Sequence, residues 1–240
     1  MLHKETVTPG TLDLIQRLMK DQQLNFFYLV GGTALSLRIG HRLSIDIDLF
    51  SSIDFDGDAL AIYLKNNYDA VVKHHKVNYV SGSIGDVDFD FISHKYPSNK
   101  PIETIEGIRM MSNADISAMK INAIVNSGQR IKDFIDMHYL LKEMSLEEIL
   151  KYYCEKYPNV DANTARSSLL YHNDIDFSVP VMLMDSKLKW KDIKTRIQKA
   201  VGKEKKAVKS QTFLKQEETN YLGKKKNKNK GNDHNQGLGM

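Results

Sequence analysis

Apolar positions in the first half of the chain switch between two periods. Thr11 precedes Leu12, Ile15, Leu18 and Met19, a spacing that predicts an amphipathic helix over 12–22 with Thr11 as its N-cap. The apolar run Phe26 to Val30 predicts a short strand, Gly31-Gly32-Thr33 interrupts it, and Ala34 to Ile39 predicts a short helix ending at Gly40. Residues 45–50, IDIDLF, alternate apolar and acidic and predict a second strand, followed by a helix over 58–66. Val71 to Tyr79 and Asp86 to Ile92 predict two further strands, with Ser81 to Gly85 as the hairpin turn between them. From about residue 101 the period becomes helical, with helices expected over 114–125, 129–142, 145–156, 162–170 and 187–200. The expected class is therefore α+β, a small mixed sheet in residues 1–100 followed by a helical domain in 101–200.

Past residue 201 the chain becomes polar and Lys-rich, and 201–240 is expected to be a flexible tail. The net charge of +4 suggests nucleic acid until it is located. The tail carries ten lysines against four acids, which leaves 24 basic and 26 acidic residues in the first 200. An acidic ligand must then be held by local charge. Apolar runs reach about five residues, against the ~20 of a membrane span, so no membrane association is expected. The single Cys154 and the polar start MLHKETVTPG fit a cytoplasmic protein.

Asp46 and Asp48 lie two apart on a predicted strand, so both carboxylates share one face while Ile45, Ile47 and Leu49 take the other. Asp88 and Asp90 repeat the arrangement on a strand that can pair beside the first and bring a third carboxylate to the same point. Like charges so placed raise one another's pKa unless a cation neutralises them, and oxygen ligands suit Mg²⁺. Three such groups can hold two Mg²⁺ ions about 4 Å apart, as in metal-assisted phosphoryl transfer. The alternative is a solvated sheet face. The backbone of Gly32, Thr33 and the helix they open offers N–H groups to phosphate oxygens. Lys120 falls within the apolar stripe Ile116, Met119, Ala123 and Ile124, where it either snorkels or faces an anion. Arg130, Lys132, Asp133 and Asp136 follow at spacings that, taken alone, read as a solvated helix face.

Four blocks carry a resemblance: LVGGTALSLRIGHRLSIDIDLF (29–50), VDFDFISHKYP (87–97), DISAMKINAIVNSGQRIKDFIDMHYLL (115–141), and SSLLYHNDID with PVMLM within 167–184. Together they resemble the AbiEii/AbiGii toxin family of polymerase-beta-like nucleotidyltransferases over residues 8–200. The resemblance implies a nucleotidyltransferase core with a helical domain completing its nucleoside triphosphate (NTP) site. It implies Mg²⁺-dependent transfer of a nucleotidyl group from NTP to an acceptor hydroxyl, with RNA, at the tRNA 3′ end, as acceptor. The setting it implies is a toxin–antitoxin or abortive-infection pair with a cognate antitoxin protein. Residue by residue, it implies that Gly31, Gly32 and Thr33 bind phosphate, that Asp46 and Asp48 bind metal, and that Asp90 rather than Asp88 is the third metal ligand and general base. Lys120 matches a triphosphate-contacting lysine. Arg42 and Ser44 match positions that touch phosphate or anchor the loop, and Asp133 and Asp136 match an acidic position of unassigned role. Nucleotidylation of a protein or small molecule is the alternative within enzymes, and a non-catalytic nucleotide-binding interaction module the alternative outside them.

Overall fold

Among the described residues, seven strands form one mixed sheet with helices packed against it. A computed structural model describes residues 1–204. The expected tail falls almost wholly beyond them: 201–204 are helical and the rest lies outside the described residues. Residues 1–198 make one compact unit.

Helix α1 (Pro9–Lys20) starts earlier than expected because Thr8, not Thr11, is its N-cap, accepting the Thr11 N–H at 3.0 Å, with Pro9 in the first turn. Strand β1 (Tyr28–Leu29) is only the middle of the apolar run. Helix α2 (Gly31–Ile39) begins at the glycine pair itself and stops at Gly40, whose φ of 67° is the left-handed cap. Strand β2 (Ile47–Ser51) begins one residue after Asp46, so Ile45 is exposed instead of joining the buried face of Ile47 and Leu49.

After α3 (Gly57–Tyr68) the chain forms β3 (Val71–Lys76), β4 (Tyr79–Ile84) and β5 (Val87–Ser93). The Ser-Gly-Ser stretch expected as a turn is thus the interior of β4, where Gly82 lets the β3 backbone approach closely. A hairpin absent from the periodicity reading, β6 (Glu103–Ile105) and β7 (Ile108–Met110), precedes the helical run. The sheet order is β3-β4-β5-β2-β1-β7-β6, with β2/β5 and β1/β7 parallel and the other pairs antiparallel. Arg109 in β7 donates to the carbonyls of Met19, Leu24 and Phe27, tying that edge to the end of α1.

The helices α4 (Asn113–Asn126), α5 (Ile131–Glu143), α6 (Leu146–Lys156) and α7 (Ala162–Leu170) follow the expected spans closely. Helix α4 packs against the other three and against α2, burying Ile116, Ala118, Ile121 and Ile124. Asp115 and Lys156, both fully buried, pair at 3.0 Å, and Asp115 also accepts the N–H groups of Asn99 and Lys100, which clamps the connection after β5 onto α4 and α6. No helix among the described residues is long and apolar enough to cross a membrane.

Candidate active site

The register of β2 on β5 sets the site. Asp48 pairs directly with Asp90, so the two carboxylates stand on neighbouring strands of one sheet face, ~4.8 Å apart at the backbone. Asp88 shares that face but sits a residue pair further out, exposed and ion-paired to Lys73 at 2.6 Å. Asp90 is half-buried and accepts a hydrogen bond from the Tyr79 hydroxyl at 3.0 Å. Burial, and then the charge of Asp90, raise the Asp48 pKa; burial, and then Asp46 and Asp88, raise that of Asp90 despite the Tyr79 bond. Anionic oxygens are thus crowded without a full counter-charge, a donor set that fits a divalent cation. Among the described residues no three His, Cys, Asp or Glu side chains form a metal-binding group.

The glycine pair fits against these groups. Gly31 has φ +68°, and a Cβ on it would overlap the Asp48 carboxylate; a Cβ on Gly32 would overlap the Arg42 guanidinium. Thr33 is buried, its hydroxyl donating to the Asp46 carbonyl and reaching Ser44 Oγ at 2.9 Å. The loop carrying Arg42, Ser44 and Asp46 is pinned on both sides, by Ser44 N–H to the Thr6 carbonyl and Leu43 N–H to the Met182 carbonyl.

Opposite the sheet, α4 and α5 supply the cations. Lys120 is buried, with its ammonium 2.8 Å from Asp133 and 2.6 Å from Asp136. The anion it faces is therefore the protein's own. Asp136, fully buried, also accepts from His41 Nε2 and Arg42 Nε, each at 2.7 Å, and from Arg42 Nη2 at 3.1 Å. Burial pushes the Asp136 carboxyl up, but Lys120, Arg42 and the bonds from His41 outweigh it and hold the group well below the carboxylate range. For Lys120 burial acts against the charge, and Asp136 and Asp133 reverse it, so the ammonium is held above its ordinary value. His41 goes the other way, its pKa lowered chiefly by burial against the opposing pull of Asp136.

A cleft of about 210 Å³ joins these groups. Its lining combines Gly31, Gly32, Thr33, Arg42, Ser44, Lys120, Asp46 and Asp48 with the apolar Phe50, Ile92, Ile116 and Met119, while Asp90 stands beside Asp48 outside the lining. Arg130 and Lys132, read from sequence as a solvated face, line the same cleft, Arg130 2.8 Å from Asp133 and Lys132 3.8 Å from Asp46. Sequence reasoning also passed over His41. A signal existed for α5: Asp136 falls four residues before the buried Leu140, an acid in an apolar stripe just as Lys120 is a base in one.

The family described as "Nucleotidyl transferase AbiEii toxin, Type IV TA system" matches residues 13–204. A relative from Aquifex aeolicus (strain VF5), described as an uncharacterized protein, is 32% identical over 161 residues, covering 62% of this chain and 75% of its own. Among solved structures, MenT4, a nucleotidyltransferase toxin of Mycobacterium tuberculosis H37Rv, has a TM-score of 0.55 at 13% identity, covering 80% of this chain and 81% of its own. JHP933 of Helicobacter pylori has a TM-score of 0.50 at 18% identity, with 87% and 99% covered. These structural likenesses speak for the fold, a nucleotidyltransferase-like α/β arrangement. With the family matched over most of its length, the chain belongs to the AbiEii nucleotidyltransferase toxins.

Proposed function

We propose that the protein transfers a nucleotidyl group from an NTP to a hydroxyl of RNA, at the tRNA 3′ end, as the toxin of a cytoplasmic pair whose other member is a cognate antitoxin protein. The observation that carries this reading is Asp48, which lines a cleft together with Arg42, Lys120, Arg130 and Lys132 and is paired in register with Asp90 on the neighbouring strand. The triphosphate lies along Gly31, Gly32 and Thr33, where the glycines leave room for Asp48 and Arg42 to sit close against the backbone. Arg42 and Lys120 offset its charge, and Ser44 holds Thr33 in place. The nucleoside rests against the apolar lining residues Phe50, Ile92 and Met119.

Asp46, Asp48 and Asp90 are the residues that would hold Mg²⁺, which when bound supplies charge neutralisation at the phosphates and a lower pKa for the attacking hydroxyl. Asp90 takes the proton of that hydroxyl, its raised pKa suiting a base. The new bond joins the acceptor oxygen to the α-phosphorus, the bond from that phosphorus to the bridging oxygen breaks, and pyrophosphate leaves in line on the Lys120 side. Incubating the protein with total RNA and α-labelled NTPs tests the reading. Label in RNA, absent with Asp46→Ala and Asp48→Ala variants that stay folded, is the expected result. Label only in protein or small molecules, or full activity in both variants, overturns it.

A further inference from the structure

The face of the sheet that carries Asp48 and Asp90 continues past them, and no packing explains what it shows there. Register carries that face across β4 and β3: Asp90 pairs with Ser81, Ile92 with Tyr79, Ser81 with His74 and Tyr79 with Lys76. Side-chain contacts agree with the register. Lys73, at the bulge in β3, reaches Asp88; Lys76 lies over the Tyr79 ring at 5.8 Å; and His75, on the opposite face, bonds to Asp58 of α3 at 2.7 Å. Helix α3 therefore covers the far face, while Lys73, His74 and Lys76 stay exposed on the near one. The result is a ledge with two lysines, a histidine and a half-buried aromatic ring beneath Lys76, and the Tyr79 hydroxyl on that ring bonds to Asp90.

From this juxtaposition we infer that the β3–β4 ledge is the landing surface for the acceptor, and that it receives the single-stranded 3′ end of an RNA. This inference rests on the reading of the site as a nucleotidyltransferase. An in-line displacement brings the attacking hydroxyl from the side opposite the leaving pyrophosphate. Pyrophosphate lies toward the glycine turn and Lys120, so the hydroxyl arrives over Asp90, and the surface beyond Asp90 is the ledge. Its chemistry suits that occupant. Aromatic rings stack unpaired bases, and lysines contact the backbone phosphates. A terminal base stacked on Tyr79 sets its ribose beside Asp90. Lys76, on a flexible stem, swings from the ring to the incoming strand, and Lys73 needs only to leave an exposed ion pair with Asp88, a contact of little strength.

The test uses the full chain without NTP and a fluorescein-labelled single-stranded RNA bearing a free 3′-OH, with binding read by anisotropy across a series of KCl concentrations. Lys73→Glu/Lys76→Glu, both at exposed positions, is compared with the unaltered protein. Binding to a fluorescent NTP analogue is the control on the cleft. The lysines beyond residue 204 contribute equally to both proteins. The expected result is RNA binding weakened tenfold or more, a salt dependence shallower by about 1.4 in log–log slope for two lost phosphate contacts, and NTP-analogue binding unchanged. RNA binding equal in the two proteins, no RNA binding by either, or tighter binding of the matching DNA overturns the ledge. Because no transfer is needed, these outcomes are independent of the labelling assay. An enzyme that labels a protein instead of RNA also removes the ledge while leaving nucleotidyl transfer standing.

Discussion

The ammonium of Lys120 on α4 and the carboxylate of Asp136 on α5 meet at 2.6 Å with almost no solvent on either. Asp136 thereby becomes the common anchor for Lys120, Arg42 and His41, fixing on one carboxylate two cations that face the cleft from different elements. Without it both cations would be buried and under-compensated, since only Asp133 would remain for Lys120.

Asp136→Asn is therefore expected to cost about 3–5 kcal/mol of folding stability, the usual cost of breaking a buried pair. Denaturant unfolding measures it. An unchanged midpoint would mean that the network contributes nothing to the fold.

Asp48→Asn should act in the opposite direction on stability. The raised Asp48 pKa means that its charged form is disfavoured in the folded state, so this contribution favours folding below the ordinary aspartate pKa and is lost as pH rises through the folded value. A neutral isostere removes that cost at pH 7. The expected outcome is a Tm a few degrees higher, roughly 2–4 °C for about 1 kcal/mol, together with loss of nucleotide transfer. Scanning calorimetry beside the labelling assay checks both halves, and a lower Tm counts against repulsion within the aspartate pair.

The two glycines should fail differently. At Gly31 the left-handed backbone and the overlap with Asp48 act together, so Gly31→Ala loses about 1–2 kcal/mol and transfer activity with it. At Gly32 the obstacle is the end of the Arg42 side chain, itself locked on Asp136. Gly32→Ala should weaken NTP binding with a smaller stability loss. Equal behaviour of the two variants in a thermal shift assay with and without NTP would contradict this.

Acid should unfold the protein through histidine before it reaches Asp136. His94, stacked on Phe50 at 4.8 Å, is lowered to about 4, by burial and then by Lys156. His138 is also lowered to about 4, by burial and then by Arg196. A lowered histidine contributes stability that is present above its unfolded pKa of 6.5 and lost as pH falls toward 4. Asp136, held well below 3.8, gives way only in stronger acid. Tm measured from pH 7.5 to 4 should fall below pH 6.5, and less steeply in His94→Phe, which keeps the ring contact with Phe50. A flat Tm over that range is the contrary result.

Local patterning reached much of this architecture. The glycine turn, the aspartate strands and the four helices α4 to α7 are each encoded within a window of residues, by period and by breakers. Strand β4 was hidden because Ser81, Gly82 and Ser83 look like a turn, and they are extended only because β3 and β5 pair on both sides. The β6–β7 hairpin, three residues a side, is too short for periodicity. The partners of Lys120 were out of reach for another reason: spacing shows that a lysine sits in an apolar stripe, but not that Asp133 and Asp136 of the next helix neutralise it. The solvated-face reading of α5 holds for the exposed Arg130 and the partly exposed Lys132 and fails for the buried Asp133 and Asp136, because it took the helix alone, without Lys120 of α4 and Arg42 beside it.

The parallel ladder between β2 and β5 leaves room for divergence. Asp48 and Asp90 owe their spacing to that ladder, while everything from residue 52 to 86 loops out to one edge of the sheet and returns. An insertion, deletion or exchange within α3 and β3 can redraw the outer margin of the molecule while β4, whose Tyr79 bonds to Asp90, keeps the reactive centre in place. A lineage could then change its target while inheriting its chemistry intact.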